Sequence, residues 1–311
     1  MINNHHLTTY KRLPICVYDS WRDEKGHLDN HPREYVGVPE SELPYRNRLP
    51  MDTDPDKPVL GVGEHTHREL EISYMVSGTN IYQVNDKKYQ TNPGDMCIKN
   101  PFDRHKVFFY NRGYPYFTYV VIFNPADFAS MLPSKEAKVL HSVCSGKTRF
   151  RTLNQDSARL EPLFERMFES YKSDNAPRLL SGVYELIAEL LENCVDDSPG
   201  ETNPDFEFVK RISDLIDERF GEGLTTASVS DELSYNKSYF CRRFRKSFGM
   251  SFSEYLNRCR IQKATQMRLE NGLSLSDIAA KCGFDDYAYF ARVFSKYCGM
   301  PPGSYYRSYG N

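Results

Sequence analysis

Three side chains of the kinds that ligate metal ions lie at alternate positions of one short segment. They are His65, His67 and Glu71, within residues 64–71. Since alternate residues of a β-strand share one face, an extended segment here would point all three into the same space. Imidazole and carboxylate groups together suit a divalent metal ion, and the same groups can hydrogen-bond a polar organic molecule. The segment is therefore a candidate binding site.

A second group of side chains could contact an anion. Between positions 236 and 268 the chain carries one acidic residue, Glu254, and nine basic ones. The basic residues are Lys237, Arg242, Arg243, Arg245, Lys246, Arg258, Arg260, Lys263 and Arg268. Residues 201–311 carry 16 Lys and Arg against 14 Asp and Glu, whereas residues 1–200 carry 24 against 28. A basic block on a nearly neutral chain predicts one surface that meets an anionic partner, the alternative being a merely solvated helix face.

The overall composition excludes several classes of protein. The 311 residues include 40% hydrophobic and 26% charged residues, the balance of an ordinary soluble protein of two or three domains. No apolar stretch approaches the ~18 residues of a membrane-spanning helix, and the first residues lack the basic and apolar segments of a secretory signal. The eight cysteines include no Cys-x-x-Cys pair, which indicates free thiols in a reducing compartment. We therefore expect a cytoplasmic protein.

The candidate metal ligands lie in a region with the pattern of antiparallel β-structure. Short runs rich in β-branched and aromatic residues occupy residues 70–76, 80–84 and 117–123. The pair Asn85-Asp86 predicts a tight hairpin turn after the second run. The Pro-rich region 12–58 lacks a helical period, so we expect extended or irregular structure there. Several short strands in succession predict a sandwich or barrel.

Helical periodicity begins near residue 156. Apolar residues share one helical face in each of two segments: Leu160, Leu163, Phe164, Met167, Phe168 and Tyr171, then Leu179, Leu180, Val183, Tyr184, Ile187, Leu190 and Leu191. Residues 196–204 have the composition of a linker, and the remainder has a helical pattern. We predict domains at 1–155 and 201–311, joined by a helical connector at 156–200. The apolar faces of the connector would form a dimer interface or a coupling element.

An internal repeat of about 50 residues occupies the C-terminal region. Residues 239–250 match residues 289–300 at seven of twelve positions, and Tyr255 matches Tyr305 at the same offset. Just upstream the offset falls to 49, which pairs Val229 with Ile278. Such self-similarity predicts two copies of one supersecondary unit.

Each copy has the pattern of a helix, a tight turn and a second helix. In the second copy, residues 276–282 predict a short capped helix, Gly283 can adopt the positive φ of the turn, and Asp285-Asp286 can cap the next helix. That helix would bury Phe290, Val293, Phe294 and Tyr297. The pattern is that of a helix-turn-helix, whose second helix enters the major groove of DNA. The periodic stretch 255–269 would hold the two recognition helices about one turn of DNA, ~34 Å, apart.

The run from Leu224 to Arg307 resembles the double helix-turn-helix domain of the AraC/XylS family of bacterial transcription regulators. The resemblance includes the ending Gly-Met-Pro-Pro-Gly-Ser-Tyr-Tyr-Arg at 299–307. It implies base-reading residues on the first recognition helix at Ser238, Cys241 and Arg242. On the second helix it implies Tyr287, Ala288, Ala291 and Arg292. In the first copy, Ser230 and Ser234 stand where the family usually has Ala and Gly, which leaves the geometry of that turn open.

Arginine is the best candidate for reading bases at these positions. Bidentate contact between an arginine and guanine is the commonest specific readout, which favours Arg242 and Arg292. Lys237, Arg243, Arg245 and Lys246 either contact phosphates or simply solvate the helix.

The β region resembles the two cupin motifs. Residues 61–71 with Gly78 are similar to the first motif, and residues 93–105 to the second. The resemblance adds His105 to the three candidate ligands and implies a site inside a small barrel. In metal-dependent cupins this set binds iron, manganese or nickel. In AraC-type sensor domains the same residues line an effector pocket or join a hydrogen-bond network, so metal binding and structural packing stay open as alternatives.

We expect an effector pocket without a cofactor. Its predicted residues are His65, His67, Glu71, Tyr82, Arg104 and His105. The aromatic residues Tyr74, Tyr82, Phe102 and Tyr119, beside these polar groups, would suit a sugar-like polyol.

The expected protein is an α+β multidomain transcription regulator and not an enzyme. It would join an N-terminal cupin-like β-barrel or jelly roll, a helical connector and a C-terminal all-α double helix-turn-helix domain. We predict an activator whose partners are promoter DNA, a small-molecule effector, RNA polymerase and a second copy, with no membrane. One alternative is a metal-dependent cupin enzyme with a DNA-binding tail. Another is a regulator whose N-terminal domain binds a protein partner.

Overall fold

A computed structural model describes residues 15–22, 28–29, 58–110, 116–153, 159–196, 205–271, 273–298 and 300–309. The described residues up to 196 form one compact unit and those from 205 onward form another. Nearly all of the predicted linker at 196–204 lies outside the described residues. None of the described helices is long and apolar enough to span a membrane.

The N-terminal unit is built on antiparallel β-strands. Their bounds are β1 (Ile15–Arg22), β2 (Leu28–Asp29), β3 (Pro58–His65), β4 (Leu70–Ser77), β5 (Asn80–Val84), β6 (Lys87–Thr91), β7 (Met96–Lys99), β8 (His105–Tyr110) and β9 (Tyr116–Phe123). One sheet has the order β2-β1-β9-β4-β7 and the other β3-β8-β5-β6. The predicted strands correspond to β4, β5 and β9, and Asn85 forms the predicted turn with a φ of 54°.

The two sheets share one apolar core. Met75, Cys97 and Tyr116 from the first sheet pack with Tyr82, Val84 and Val107 from the second. Because successive side chains of a strand alternate between faces, Glu71 and Ser73 lie on the same inner face of β4 as Met75. The predicted cupin-like architecture is therefore confirmed.

Helices cover the outer face of the five-stranded sheet. Their bounds are α1 (Ala126–Ala129), α2 (Ser134–Cys144), α3 (Glu161–Lys172) and α4 (Ala176–Asn193), with a short ladder between β10 (Arg149–Phe150) and β11 (Val195–Asp196). Phe164 of α3 stacks on Tyr74 with ring centroids 4.9 Å apart, and Phe168 packs on Tyr119. These two tyrosines therefore face α3 and not the barrel interior, which corrects their predicted place beside an effector.

The helices predicted as a connector belong to the N-terminal unit. The predicted face of α3 is buried, and α3 packs on α4 as well as on the sheet. Gly182 of α4 permits this approach, since a Cβ there would lie 2.5 Å from Cγ of Met167. Helices α1 and α2 begin before the predicted onset of helix near residue 156.

All the secondary-structure elements described in the C-terminal unit are helices. It contains α5 (Phe206–Arg219), α6 (Thr226–Glu232), α7 (Lys237–Phe248), α8 (Phe252–Asn271), α9 (Leu275–Lys281), α10 (Tyr287–Cys298) and α11 (Pro302–Tyr309). The pairs α6–α7 and α9–α10 are the two predicted helix-turn-helix units, and α8 connects them. The predicted core residues Phe290, Val293, Phe294 and Tyr297 are buried.

The turn of each helix-turn-helix unit contains one residue with a positive φ, and the two residues lie at equivalent positions of the repeat. Gly283 has a φ of 77°, and Ser234 takes a φ of 57° although it carries a side chain. Ser230 is fully buried, and its hydroxyl donates to the carbonyl of Ala227 at 2.9 Å. The two serines therefore fit the turn of the first copy, which settles the geometry that the sequence left open.

An arginine links the end of α5 to the second turn. Arg260 of α8 is buried and donates to the carbonyl oxygens of Phe220 at 2.8 Å and Glu222 at 2.7 Å. A Cβ on Gly283 would lie 2.7 Å from Nη2 of this guanidinium. Arg260 therefore packs the second helix-turn-helix unit against the end of α5, the helix that precedes the first unit.

Candidate functional site

Three strands bring the four predicted ligands together. His65 ends β3 and pairs with His105, which begins β8, while Glu71 lies near the start of β4 and His67 in the preceding loop. One ligand atom from each lies within 4.8 Å of those of the others. All four side chains are buried, with exposed fractions of 4–6%.

Backbone carbonyls fix the orientation of two of the imidazoles. Nδ1 of His67 lies 3.1 Å from the carbonyl oxygen of Glu69, and Nδ1 of His105 lies 2.9 Å from that of Asp103. Because a carbonyl only accepts hydrogen bonds, each Nδ1 carries the proton and donates it. Nε2 of each ring then faces Oε2 of Glu71, at 3.2 Å from His67 and 3.5 Å from His105.

A buried lysine completes the cluster. Lys99 of β7 has no exposed surface, and its Nζ lies 3.1 Å from Oε1 of Glu71 and 3.9 Å from the centroid of the Tyr82 ring. It also contacts the hydroxyl of Ser73. Lys99 was not predicted as a site residue, although its alternation with Cys97 places it on the inner face of β7.

Lys99 and Glu71 are both charged at neutral pH. Burial alone would raise the pKa of Glu71, but Lys99 and His105 outweigh it and hold the pKa well below its ordinary value. Burial would likewise lower the pKa of Lys99, but the carboxylate of Glu71 keeps it above its ordinary value. Burial raises the pKa of Tyr82, which therefore presents a neutral ring and hydroxyl to this pair.

Arg104 does not join the cluster. Its guanidinium forms ion pairs with Glu64 at 3.3 Å and with Asp86 at 3.2 Å. The residue is adjacent to His105 in an extended segment, so the two side chains leave the backbone in opposite directions. The predicted contact between Arg104 and an effector stays a prediction, whereas the ring of Tyr82 lines the cluster beside Lys99.

The donors in the cluster fit a metal ion as well as a polar ligand. Three imidazoles and one carboxylate form a set that first-row transition metals accept. Such an ion, when bound, would supply a Lewis-acidic position for an oxygen atom of a ligand.

The predicted DNA-reading side chains lie on the outer faces of α7 and α10. Exposed side chains on α7 include Lys237, Ser238, Cys241, Arg242, Arg245 and Lys246, and those on α10 include Tyr287, Ala288 and Arg292. Ala291 is half-buried. The side chain of Asn236 caps α7 by accepting from the amide of Ser238, and Asp286 caps α10 by accepting from the amide of Tyr289.

Two exposed tyrosines were missed by the sequence analysis. Tyr239 and Tyr289 are 45% and 41% exposed, at equivalent positions of the two recognition helices. The hydroxyl of Tyr289 accepts a hydrogen bond from Asn257 of α8 at 2.9 Å. Their identity in the repeat is the signal that could have identified them.

Part of the basic block has an internal role. The guanidinium of Arg243 lies 4.2 Å from the centroid of the Phe208 ring and 2.9 Å from Oδ1 of Asp205, so it binds α7 to the start of α5. Lys263 pairs with Asp217 at 3.0 Å, and Arg260 has the carbonyl contacts given above. The guanidinium of Arg243 therefore has its partners inside the unit.

Two family models match the chain. An AraC-like ligand binding domain matches residues 54–187, and a helix-turn-helix domain matches residues 229–308. Together the two matches span more than half of the sequence.

Curated relatives match over nearly the whole length. The HTH-type transcriptional activator RhaR of Yersinia pseudotuberculosis serotype O:3 is 25% identical over 282 residues, covering 88% of this chain and 91% of that protein. A protein of the same name from Cronobacter sakazakii is 24% identical over 260 residues, with coverages of 79% and 87%.

Solved structures also resemble the chain. The C-terminal domain of the two-component response regulator yesN from Fusobacterium nucleatum is 31% identical and covers 32% of this chain and 97% of that one, with a TM-score of 0.31. Wild-type ToxT from Vibrio cholerae, bound to an unsaturated fatty acid, is 12% identical and covers 95% of each chain, with a TM-score of 0.41.

Proposed function

Because this chain belongs to the AraC family of transcription regulators, with a ligand-binding cupin-like domain before its helix-turn-helix domain, we propose that it activates a promoter in response to a small molecule. The curated relatives named above are transcriptional activators, and we assign no reaction to the chain. It would act in the cytoplasm, on double-stranded promoter DNA.

The observation that carries the DNA-binding proposal is the contrast within the basic block. Arg243, Arg260 and Lys263 have partners inside the unit, whereas Lys237, Arg242, Arg245 and Lys246 extend from the exposed face of α7. The N-terminal part of a recognition helix is the part that contacts base edges. We assign base reading to Arg242 and Arg292, supported by Ser238, Cys241, Tyr287, Ala288 and Ala291, and phosphate contact to Lys237 and Lys246.

Selection from a random pool of DNA duplexes tests this assignment. The full chain should enrich a two-part sequence whose halves lie about one helical turn, or ~10 base pairs, apart. Arg211→Ala on α5, an exposed arginine away from the recognition helices, is the matched control and should enrich the same sequence. Failure of the wild-type chain to enrich any sequence would overturn the proposal.

The sensing role is assigned to the buried cluster of the N-terminal unit. We propose that a small polar effector is recognised there through His65, His67, Glu71, His105, Tyr82 and Lys99. A thermal-shift screen of sugars and small organic acids is the test, since a ligand of the native state raises the melting temperature. One class of compound should raise it and also change the affinity for the selected DNA. A screen without such a compound would leave a protein partner as the signal and contradict a small-molecule effector.

Protein partners are the remaining part of the proposal. Leu180 and Leu191 of α4 are only half-buried in the single chain, which supports a contact with a second copy through this helix. An activator acts on RNA polymerase, which we therefore include as a partner. Sedimentation of the full chain should give a dimer, and a monomer at concentrations that saturate the DNA would exclude the self-association.

A further inference from the structure

Seven positions match between residues 239–250 and residues 289–300, and they are of two kinds. Four belong to the fold: two phenylalanines that are buried in both copies, and a Gly-Met pair that follows each recognition helix. The other three are exposed in both copies. They are Tyr239, Arg242 and Lys246 on α7 and Tyr289, Arg292 and Lys296 on α10. Because packing of the core does not require these three, their recurrence points to a shared role at the surface.

The three exposed residues form one stripe along each recognition helix, the Tyr-Arg-Lys stripe. Their spacing of i, i+3 and i+7 places them on the same helical face, over a length of about 10 Å. The arginine in the middle is the residue assigned to base reading. The tyrosine and the lysine therefore lie on either side of the contact with the base edge, where the groups within reach are the phosphates and sugars that border the groove.

In the second unit the tyrosine is held in place by the helix that connects the two units. The hydroxyl of Tyr289 accepts a hydrogen bond from Nδ2 of Asn257 of α8 at 2.9 Å. A phenolic hydroxyl that accepts one hydrogen bond still has its own hydrogen to donate. The guanidinium of Arg292 lies 5.5 Å from the centroid of the Tyr289 ring, within the range of a cation–π contact. Tyr289 is therefore an oriented hydrogen-bond donor beside the arginine of its own stripe.

In the first unit the equivalent tyrosine packs on the turn. The ring of Tyr239 contacts that of Tyr235, with centroids 5.6 Å apart. Tyr235 is itself fixed by a hydrogen bond of 3.1 Å, which Arg243 donates to its hydroxyl. Both stripe tyrosines are thus held by contacts within the C-terminal unit, while 41–45% of each residue stays exposed to solvent.

We propose that Tyr239 and Tyr289 each donate a hydrogen bond from the phenolic hydroxyl to a DNA phosphate, with Asn257 orienting the hydroxyl of Tyr289. The inference rests on the proposed DNA-binding function and adds the residues that position each recognition helix on the duplex. A tyrosine contact differs from a lysine contact in one measurable respect. The hydroxyl does not neutralise the charge of the phosphate, so its contact should release no condensed counterion.

Tyr239→Phe and Tyr289→Phe each remove one hydroxyl and keep the ring. Fluorescence anisotropy with the selected duplex and with a duplex of random sequence, at several salt concentrations, measures the effect. Each variant should bind both duplexes about 10-fold more weakly, the loss expected for one hydrogen bond to a charged group. The base preference and the slope of log affinity against log salt concentration should stay as in the wild-type chain, whereas Lys246→Ala should reduce that slope.

A double-mutant cycle tests the role of Asn257. Asn257→Ala should weaken binding in the wild-type background, because the hydroxyl of Tyr289 loses the group that orients it. The same change should have no further effect in the Tyr289→Phe background. An equal loss in both backgrounds would contradict the orienting role.

Tyr184→Phe on α4 is the matched control, since it removes a tyrosine hydroxyl from the N-terminal unit. It should bind both duplexes as the wild-type chain does, and circular dichroism establishes that each variant is folded. Undiminished binding of both duplexes by the folded Tyr239→Phe and Tyr289→Phe variants would overturn the phosphate contacts, and so would a changed preference at one base position. A wild-type chain that binds neither duplex would instead contradict the proposed function, and this inference with it.

Discussion

A buried ion pair lies at the centre of the N-terminal unit. Lys99 and Glu71 occupy directly paired positions on β7 and β4, and both are removed from water. Removing two charges from water costs several kcal/mol each, which a close pair recovers only while both partners are present. The free energy of unfolding should therefore depend strongly on either residue.

Replacing the lysine tests this dependence. Lys99→Met should lower the free energy of unfolding by about 3–5 kcal/mol, because it leaves the buried carboxylate of Glu71 without its ammonium partner. Urea unfolding in the presence of a chelator measures the loss, followed by the fluorescence of Trp21, the single tryptophan of the chain. Lys138→Met on the surface of α2 is the control, and a similar small loss in both variants would show that the pair contributes little.

At the DNA interface one arginine should carry the base preference of the first unit. Arg242→Ala should weaken binding to the selected sequence by about 1–3 kcal/mol and relax the preference at one base position. Fluorescence anisotropy with the selected duplex and its single-base variants measures both effects. If affinity and preference are unchanged, the assigned position of Arg242 on the recognition helix is wrong.

Lys246, on the same helix, should contribute to DNA affinity without contributing to base preference. Lys246→Ala should reduce affinity for all duplexes to a similar degree, since a phosphate contact carries no base information. Its signature is the slope of log affinity against log salt concentration, which should become smaller by about one. Arg211→Ala removes an exposed positive charge of α5 away from the recognition helices, and it should leave that slope unchanged.

At the scale of elements, local pattern predicted most of the C-terminal unit. The repeat, the caps and the 3.6-residue period are all short-range signals, and both helix-turn-helix units appear where they indicated. Long-range pairing was not predictable in the same way. Lys99 joins the cluster only through the register of β7 on β4, and Tyr74 faces α3 only because that helix covers one side of the sheet. Helices α1 and α2 were missed because they are short and begin after Pro residues within a region of weak periodicity.

Substitution of the residue with a positive φ should change the stability of the C-terminal unit in opposite directions in the two turns. Ser234→Gly should stabilise the C-terminal unit by up to about 1 kcal/mol, since a positive φ disfavours a side chain. Gly283→Ala should destabilise it by about 2 kcal/mol or more, because the added methyl meets both a positive φ and the atoms of Arg260. Urea unfolding followed by circular dichroism measures both. Stabilisation by Gly283→Ala would show that Arg260 moves aside without cost.

At the scale of the whole molecule, sensing and DNA reading are built in separate compact units. The described part of the N-terminal unit contains the buried cluster, and the C-terminal unit contains both recognition helices. We expect a signal to act as a shift between populations that bind DNA with different affinity. The change from a β-type to a helical period lies near residue 156, whereas the described units divide between residues 196 and 205, because α3 packs on the sheet.

The distance between the two half-sequences of the selected DNA should be fixed. Helix α8 is 20 residues long, or about 30 Å, and its packing against both helix-turn-helix units fixes the distance between α7 and α10. Inserting about 5 base pairs between the selected half-sequences places them on opposite faces of the duplex. Affinity should then fall to that of a single half. Anisotropy with duplexes of both spacings measures this, and equal affinities would exclude simultaneous engagement.

The contact between Arg260 and Gly283 also limits how this sequence can diverge. The guanidinium occupies the space that any side chain at position 283 would need, and it donates to the carbonyl oxygens of Phe220 and Glu222. Replacing either residue alone should therefore lower the free energy of unfolding. Replacing both can open the space and restore the lost hydrogen bonds together. Descendants of this chain should inherit arginine and glycine as a pair or lose them as a pair.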